Sequence, residues 1–319
     1  MKKGKFCLLT VRKAKLFLIW NVVPLYLVSW VTKMSIIKWR IILLCSIWVK
    51  ETLLNHIRKK AKRIRNLPLM CRFLIKLKLI LEVLMVKSLI WNIRGIGGKD
   101  SIVRAKNMCR IHHIHLLVII EPLISMNKLD ITAYKLGFSS KFANCSNKIW
   151  LFWNNVVNIT ILNDFVQVVN VSISMFSFNC KASFIYAACT RMGRLTLWKQ
   201  LYDFAATDPG PWCIGGDFNI ISNASERLGG NIPNAQAMDD FNSMISTCEL
   251  HDIGFFGNAF TWSRGNLWQR LDRLLFNNDW MAKFHVTHVE HLSRTASDHA
   301  PLLLSITNSN VYIPNAFKF

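Results

Sequence analysis

SLIWNIRGIGGKDS (88–101) is the stretch from which the fold can be read. Four apolar or small residues run into Asn92, and the glycines that follow break any strand or helix, so SLIWN reads as a buried strand that ends in a turn. Asp100 or Ser101 is then placed to cap a helix reaching about His113. The same texture continues downstream, with short apolar runs separated by Gly, Asn, Asp and Pro. LLVIIE (116–121) reads as a buried strand with a carboxylate at its end. IWLFW (149–153), VVNITIL (156–162) and FVQVVNVSISMFSF (165–178) read as a meander. SFIYAAC (183–189), a helix over 194–205, PWCIGGDFN (211–219), a helix over 235–248, RLDRLLF (270–276) and SDHAPLLLSI (297–306) complete a mixed α/β series with no internal repeat.

Upstream of residue 88 the chain is different. Of 40 Lys and Arg against 18 Asp and Glu, which give a formal net charge of +22, residues 1–90 hold 20 basic residues but only Glu51 and Glu82 as acids. The basic excess, which points to a polyanionic partner, therefore sits in the first quarter. An apolar content of 52% excludes disorder of the whole chain and supplies a core for one large domain or two small ones. LFLIWNVVPLYLVSWVT (16–32) follows basic residues as a signal anchor does, but it is short for a membrane span and contains Pro24. HIRKKAKRIR (56–65) reads as a solvated basic run, an amphipathic surface helix or a nuclear import signal. A further reading is that 1–87 has no selected fold, its Trp, Ile, Lys and Arg running on without turn signals. The expected division is 1–87, a basic apolar segment; 88–306, the folded domain; and 307–319, a tail. Nine cysteines without a Cys-x-x-Cys pair point to a reducing compartment, and His112, His113 and His115 lack the partner cysteines of a structural zinc site.

Polar residues at the ends of the apolar runs carry the chemistry. Asn92, Glu121, Tyr186, Asp217, Asn219, Asp272, Asp298 and His299 lie at or near the ends of apolar runs, where loops at one edge of a sheet layer can bring them together. A carboxylate such as Glu121 is a hard ligand for Mg²⁺, and a second, Asp217, can deprotonate water. A His beside an Asp can steady a phosphorane oxyanion while Asn and Tyr hold phosphate oxygens. Each residue also has an ordinary structural role: Asp217-Phe218-Asn219 suits a turn, Glu121 before Pro122 suits a strand end, and Asp272 between Arg270 and Arg273 suits an ion pair.

The series WNIRG (91–95), Glu121, IYA (185–187), GDFN (216–219), TW (261–262), RLDR (270–273) and SDH (297–299) resembles the endonuclease/exonuclease/phosphatase superfamily, whose fold is like that of pancreatic deoxyribonuclease. TRMGRLTLW (190–198), FTW and RLDRLLFNNDW (270–280) look most like the apurinic-type endonuclease domain of plant non-LTR (LINE-type) retrotransposons, here without a reverse transcriptase. The resemblance implies an α+β, four-layer α/β/β/α sandwich with two packed mixed β-sheets, covering roughly 88–306. It implies a hydrolase that nicks DNA with Mg²⁺, or with Mn²⁺. Glu121 would ligate the metal with Asn92 and Asp298 in its shell, Asp217 would activate water, and Asn219 would position phosphate. Tyr186 would contact the scissile phosphate or leaving group, and His299, oriented by Asp272, would stabilise the transition state. Trp262 and Arg94 would contact DNA. Ile120 and Pro122-Leu123 depart from the Gln and Thr-Lys that flank the metal-binding Glu in many relatives. A phosphatase acting on a small or lipid phosphoester and a catalytically silent remnant are the competing expectations. DNA is the expected partner of a monomeric, nuclear protein, with membrane association instead if 16–32 inserts and anionic membrane contact through 1–87.

Overall fold

The computed structural model describes residues 85–175 and 178–307. The readings of 16–32 as a span and of 56–65 as a basic element fall outside the described residues, as does the 307–319 tail apart from Thr307, which closes the last strand instead. Among those described, no helix is long and apolar enough to cross a membrane.

In chain order the strands are β1 (Met85–Asn92), β2 (Leu116–Ile120), β3 (Ser140–Ala143), β4 (Ile149–Trp153), β5 (Asn158–Asp164), β6 (Val168–Met175), β7 (Phe178–Tyr186) and β8 (Trp212–Asp217). They continue as β9 (Arg227–Leu228), β10 (Leu250–His251), β11 (Phe256–Gly257), β12 (Trp262–Arg264), β13 (Leu267–Gln269), β14 (Asp272–Asn277), β15 (Val286–His291) and β16 (Leu302–Thr307). The helices are α1 (Lys99–His112), α2 (Leu129–Leu136), α3 (Arg191–Thr207), α4 (Ala235–Thr247) and α5 (Asn278–Lys283). Two large mixed sheets form, a seven-stranded one in the order β11-β15-β16-β1-β2-β4-β3 and a six-stranded one in the order β10-β14-β8-β7-β6-β5. A small third sheet, β12-β13-β9, stands beside them.

The period of two along each strand explains the layering. In β2, Leu116, Val118 and Ile120 face the opposite large sheet, whereas Leu117 and Ile119 face the helices. Both faces are therefore buried, which is why LLVII is apolar throughout. The central layer joins Val86, Ile90, Leu151 and Leu304 of one sheet to Val171, Phe184, Cys213 and Phe276 of the other. Outside the seven-stranded sheet, Trp91, Trp150 and Phe152 pack with Ala105 and Cys109 of α1 and Leu136 of α2. Outside the six-stranded sheet, Ile185, Ile214 and Leu275 pack with Leu197, Trp198 and Leu201 of α3 and Phe241 and Met244 of α4. Each Val, Leu, Ile, Phe or Met among them contributes about 1.5–3 kcal/mol by leaving water. The result is the four-layer α/β/β/α sandwich.

Three readings of the sequence are corrected. The run 149–178 is not one meander: β4 pairs with β2 and β3, while β5, β6 and β7 pair in the other large sheet, so the chain changes sheets between Trp153 and Asn158. The patterns differ accordingly, fully buried IWLF against a strand, Asn158–Asp164, with little buried. The first described helix is capped by Gly98, with no side-chain cap, and Asp100 lies in its first turn. Among the described residues the first strand is already under way at Met85, three residues ahead of the expected edge of the domain.

Candidate active site

Strand ends from both large sheets meet at one edge. In the six-stranded sheet Tyr186, Asp217 and Asp272 stand in one row across β7, β8 and β14. Gly216 makes this row possible: its φ is +143°, and a Cβ there would lie 2.1 Å from the Ile185 carbonyl oxygen. From the seven-stranded sheet come Asn92, the last residue of β1, and Glu121, the residue after β2. Glu121 adopts φ +51°, a left-handed turn that a non-glycine residue seldom takes.

Asp217 is the hub. It is 1% exposed, its Oδ2 accepts from Asn92 Nδ2 at 2.9 Å, and its Oδ1 accepts from the Asn219 main-chain N–H at 2.9 Å. Asn92 Nδ2 also donates to Glu121 Oε2 at 3.3 Å, so one carboxamide links the two carboxylates. His299 Nε2 lies 3.8 Å from Asp217 Oδ2, and His299 Nδ1 bonds Asp272 Oδ2 at 2.9 Å. Burial, then the neighbouring Asp272 charge, raises the Asp217 pKa to about 7, against the pull of His299 and the hydrogen bonds from Asn219 and Asn92. Burial disfavours the His299 cation, but Asp272, Asp217 and Asp298 outweigh it and raise its pKa to about 9. Ligand atoms of Asp217, Asp272 and His299 fall within 4.8 Å of one another, close enough for a cation. A protonated imidazole offers N–H groups and no lone pair, however, so at neutral pH the three form a proton network.

The remaining expected residues surround this hub. The Tyr186 hydroxyl sits beside Glu121, and burial followed by its interaction with the Glu121 carboxylate raises its pKa. Asn219 Nδ2 donates to the Ala187 carbonyl at 2.7 Å, so this side chain braces the Asp217 turn. Asp298 Oδ2 accepts from Trp262 Nε1 at 3.0 Å and Arg94 Nη1 at 3.1 Å. Arg94 Nε lies 3.7 Å from Glu121 Oε2, so one guanidinium spans the two carboxylates expected to serve the metal. Asp298 Oδ1 is buried without a hydrogen-bond partner, an oxygen left for a cation.

Above the hub lies a cleft of about 560 Å³ whose lining includes Glu121, Tyr186, Asp217, Asn219, Trp262 and His299 together with Arg94, Arg191, Arg194, Arg227 and Arg264. The last four arginines have no spacing in the sequence that marks them; α3, β9 and β12 bring them together. Thr261 and Ser297 were likewise unassigned. Ser297 Oγ donates to the Asn92 carbonyl at 2.7 Å and accepts from the His299 N–H at 3.1 Å.

Comparison with solved structures supports the architecture. The chain is similar to the endonuclease domain of TRAS1, a telomere-specific non-LTR retrotransposon, with 14% identity and a TM-score of 0.54 over 69% of this chain and 98% of that one. It is also similar to the AP endonuclease LMAP from Leishmania major (15% identity, TM-score 0.55, 70% of this chain and 88% of that one). A third is the 3′ phosphatase NExo from Neisseria bound to product DNA hairpin (15%, 0.53, 69% and 98%). At such identities the likeness is one of fold. No curated protein sequence matches the chain. The family model for Endonuclease/Exonuclease/phosphatase matches residues 89–299, from the first strand to the histidine of the proton network, and the chain therefore belongs to the Endonuclease/Exonuclease/phosphatase family.

Proposed function

We propose that this phosphoester hydrolase is a DNA endonuclease of retroelement type, similar to those of plant LINE-type retrotransposons, that cuts phosphodiester bonds with a divalent cation, Mg²⁺ or Mn²⁺. The observation that carries the reading is Asp217: a buried carboxylate with a pKa near neutrality, 3.8 Å from an imidazole fixed by a second aspartate, at the floor of an arginine-rimmed cleft. Arg94, Arg227 and Arg264 draw the phosphate backbone in and set its position, without reading its sequence, whereas Arg194 is buried against the Ala188, Cys189 and Asn219 carbonyls and Arg191 pairs with Asp240. Asn92 and the Asn219 amide aim the Asp217 carboxylate, which takes the proton of the attacking water. His299, held by Asp272 at Nδ1, presents Nε2–H to the negative charge that builds on the phosphate oxygens. Tyr186, beside Glu121, reaches the scissile phosphate or leaving group. Trp262 lines the groove.

Family enzymes generally depend on a divalent metal, and carboxylates beside the proton network, rather than within it, fit one. Glu121 and Asp298 offer hard carboxylate oxygens, Asp298 Oδ1 has no other partner, and Asn92 adds its carboxamide. When bound, such a cation supplies Lewis-acid neutralisation of the phosphate. The basic segment ahead of β1 adds affinity for anionic surfaces, and a nuclear address fits a DNA substrate. Purified full-length chain should convert supercoiled plasmid to open circles in Mg²⁺ and not in chelator. Equal nicking in chelator, or none in either, defeats the proposal.

A further inference from the structure

Asp272 and His299 must meet within hydrogen-bond distance, yet they belong to different sheets. Asp272 opens β14 in the six-stranded sheet, whereas His299 precedes β16 in the seven-stranded one, where Trp91 Nε1 donates to its carbonyl at 3.3 Å. Sheets packed face to face can slide by tenths of an ångström, and a catalytic pair tolerates about 0.5 Å. Something has to hold the two edges in register.

Thr261 touches both. It lies just ahead of β12, belongs to neither large sheet and is 0% exposed. Its Oγ1 accepts two successive main-chain N–H groups, those of Leu271 at 3.0 Å and Asp272 at 2.9 Å, which uses both hydroxyl lone pairs. Its carbonyl accepts the Ala300 N–H at 2.6 Å. The next residues extend the clasp: Trp262 forms a single antiparallel bridge with His299, and the Ser263 N–H donates to the Asp298 carbonyl at 3.1 Å. The side chain of one threonine thus grips the aspartate, and its main chain grips the segment that carries the histidine.

We propose that Thr261 is the positioning residue of the Asp272–His299 pair, its hydroxyl fixing where the Asp272 carboxylate meets His299 Nδ1. Valine at this position fills a similar volume but accepts no hydrogen bond, so two buried amides lose their partner and the first residue of β14 drifts. Serine keeps the acceptor and loses only a methyl group. A purely structural threonine responds in the opposite way, because burial of the methyl then matters and the hydroxyl does not. The consequence for catalysis rests on the function proposed above; the consequence for the hydrogen bond does not.

The test uses full-length chain with ¹⁵N-labelled histidine and reads the downfield proton of His299 Nδ1–H, alongside kcat and KM for plasmid nicking. Circular dichroism checks folding, and Thr261→Ala, which leaves room for water to reach the two amides, replaces Thr261→Val where the latter folds too poorly. The valine or alanine variant should lose the signal or shift it upfield. Its kcat should fall about tenfold or more with KM within about twofold, since sub-ångström misplacement costs rate more than binding. Thr261→Ser should retain both. A wild-type signal in a folded valine variant, a serine variant that behaves like valine, or failure of both Val and Ala to fold would overturn the proposal. If wild-type protein nicks no DNA, the reaction assigned to the site fails, while the Nδ1–H signal still decides the role of Thr261.

Discussion

Replacing Asp217 by asparagine should abolish most activity and make the protein more stable at alkaline pH. The carboxyl is 1% exposed, and its pKa rises from 3.8 to about 7. At about 1.4 kcal/mol per pH unit, the folded chain prefers the protonated group by roughly 4 kcal/mol. Because the folded pKa lies above the unfolded one, the native state binds the extra proton between pH 3.8 and about 7, and stability falls across that window as pH rises. The carboxamide has no charge to bury, so the variant escapes this loss. Two costs oppose the gain: only one of its two heavy atoms accepts, so the Asn92 or Asn219 N–H loses its partner at about 1–3 kcal/mol, and the His299 cation loses an attractive neighbour. The first cost is present at every pH. Relative to wild type, therefore, the variant should gain roughly 2–4 kcal/mol between pH 4 and pH 8, read by urea unfolding at both pH values. Its nicking rate should fall about 10²-fold or more, as expected for a lost general base. A stability difference that is flat with pH, or that moves against the variant as pH rises, refutes the raised pKa and with it the base assigned to the site.

Other outcomes follow from the same geometry. Nicking should rise with pH through about 7 as Asp217 ionises and fall through about 9 as His299 loses its proton, a bell whose limbs belong to the coupled pair; a rate flat from pH 5 to 10 contradicts it. His299→Ala and Asp272→Asn should each lower kcat, by about 10²-fold for the histidine, with the far-ultraviolet spectrum unchanged. Arg94→Ala frees Glu121 and Asp298 from their shared guanidinium, so Mn²⁺ should bind more tightly by electron paramagnetic resonance while DNA binds more weakly; unchanged Mn²⁺ affinity removes Arg94 from the metal site. Removing residues 1–84 should leave the melting temperature within a few degrees and reduce the salt dependence of DNA binding; a large drop in melting temperature makes that segment part of the fold.

That these residues form a candidate site was legible because they interrupt apolar runs. Asn92, Glu121, Tyr186 and Asp217 end or follow buried strands, and a polar residue there needs a reason that burial alone does not supply. Strands buried on both faces were legible in LLVII and IWLF, which pointed to a mixed α/β domain, whereas the two-sheet sandwich came from the resemblance of the motif series. What stayed hidden was what depends on partners distant in the chain. α2 has eight residues, too few to display a helical period, and β9, β12 and β13 are two or three residues long and pair with one another and, through Trp262 and Ser263, with the segment of His299. The switch of sheets after Trp153 stayed hidden because a change from a fully buried strand to a mostly exposed one also fits two neighbouring strands of a single sheet. Thr261 looks like any strand-flanking threonine until Leu271 and Asp272 are folded against it.

The central claim, that the cleft hydrolyses phosphodiesters within DNA, is tested most directly by initial rates of wild-type and His299→Ala chains on two substrates in Mg²⁺: a supercoiled plasmid, and a small phosphomonoester of equal total phosphate concentration. The account predicts rapid plasmid nicking that the substitution suppresses, with phosphomonoester turnover far slower. Faster turnover of the monoester than of the plasmid, both abolished in His299→Ala, would contradict it and make the protein a phosphatase built on the same fold.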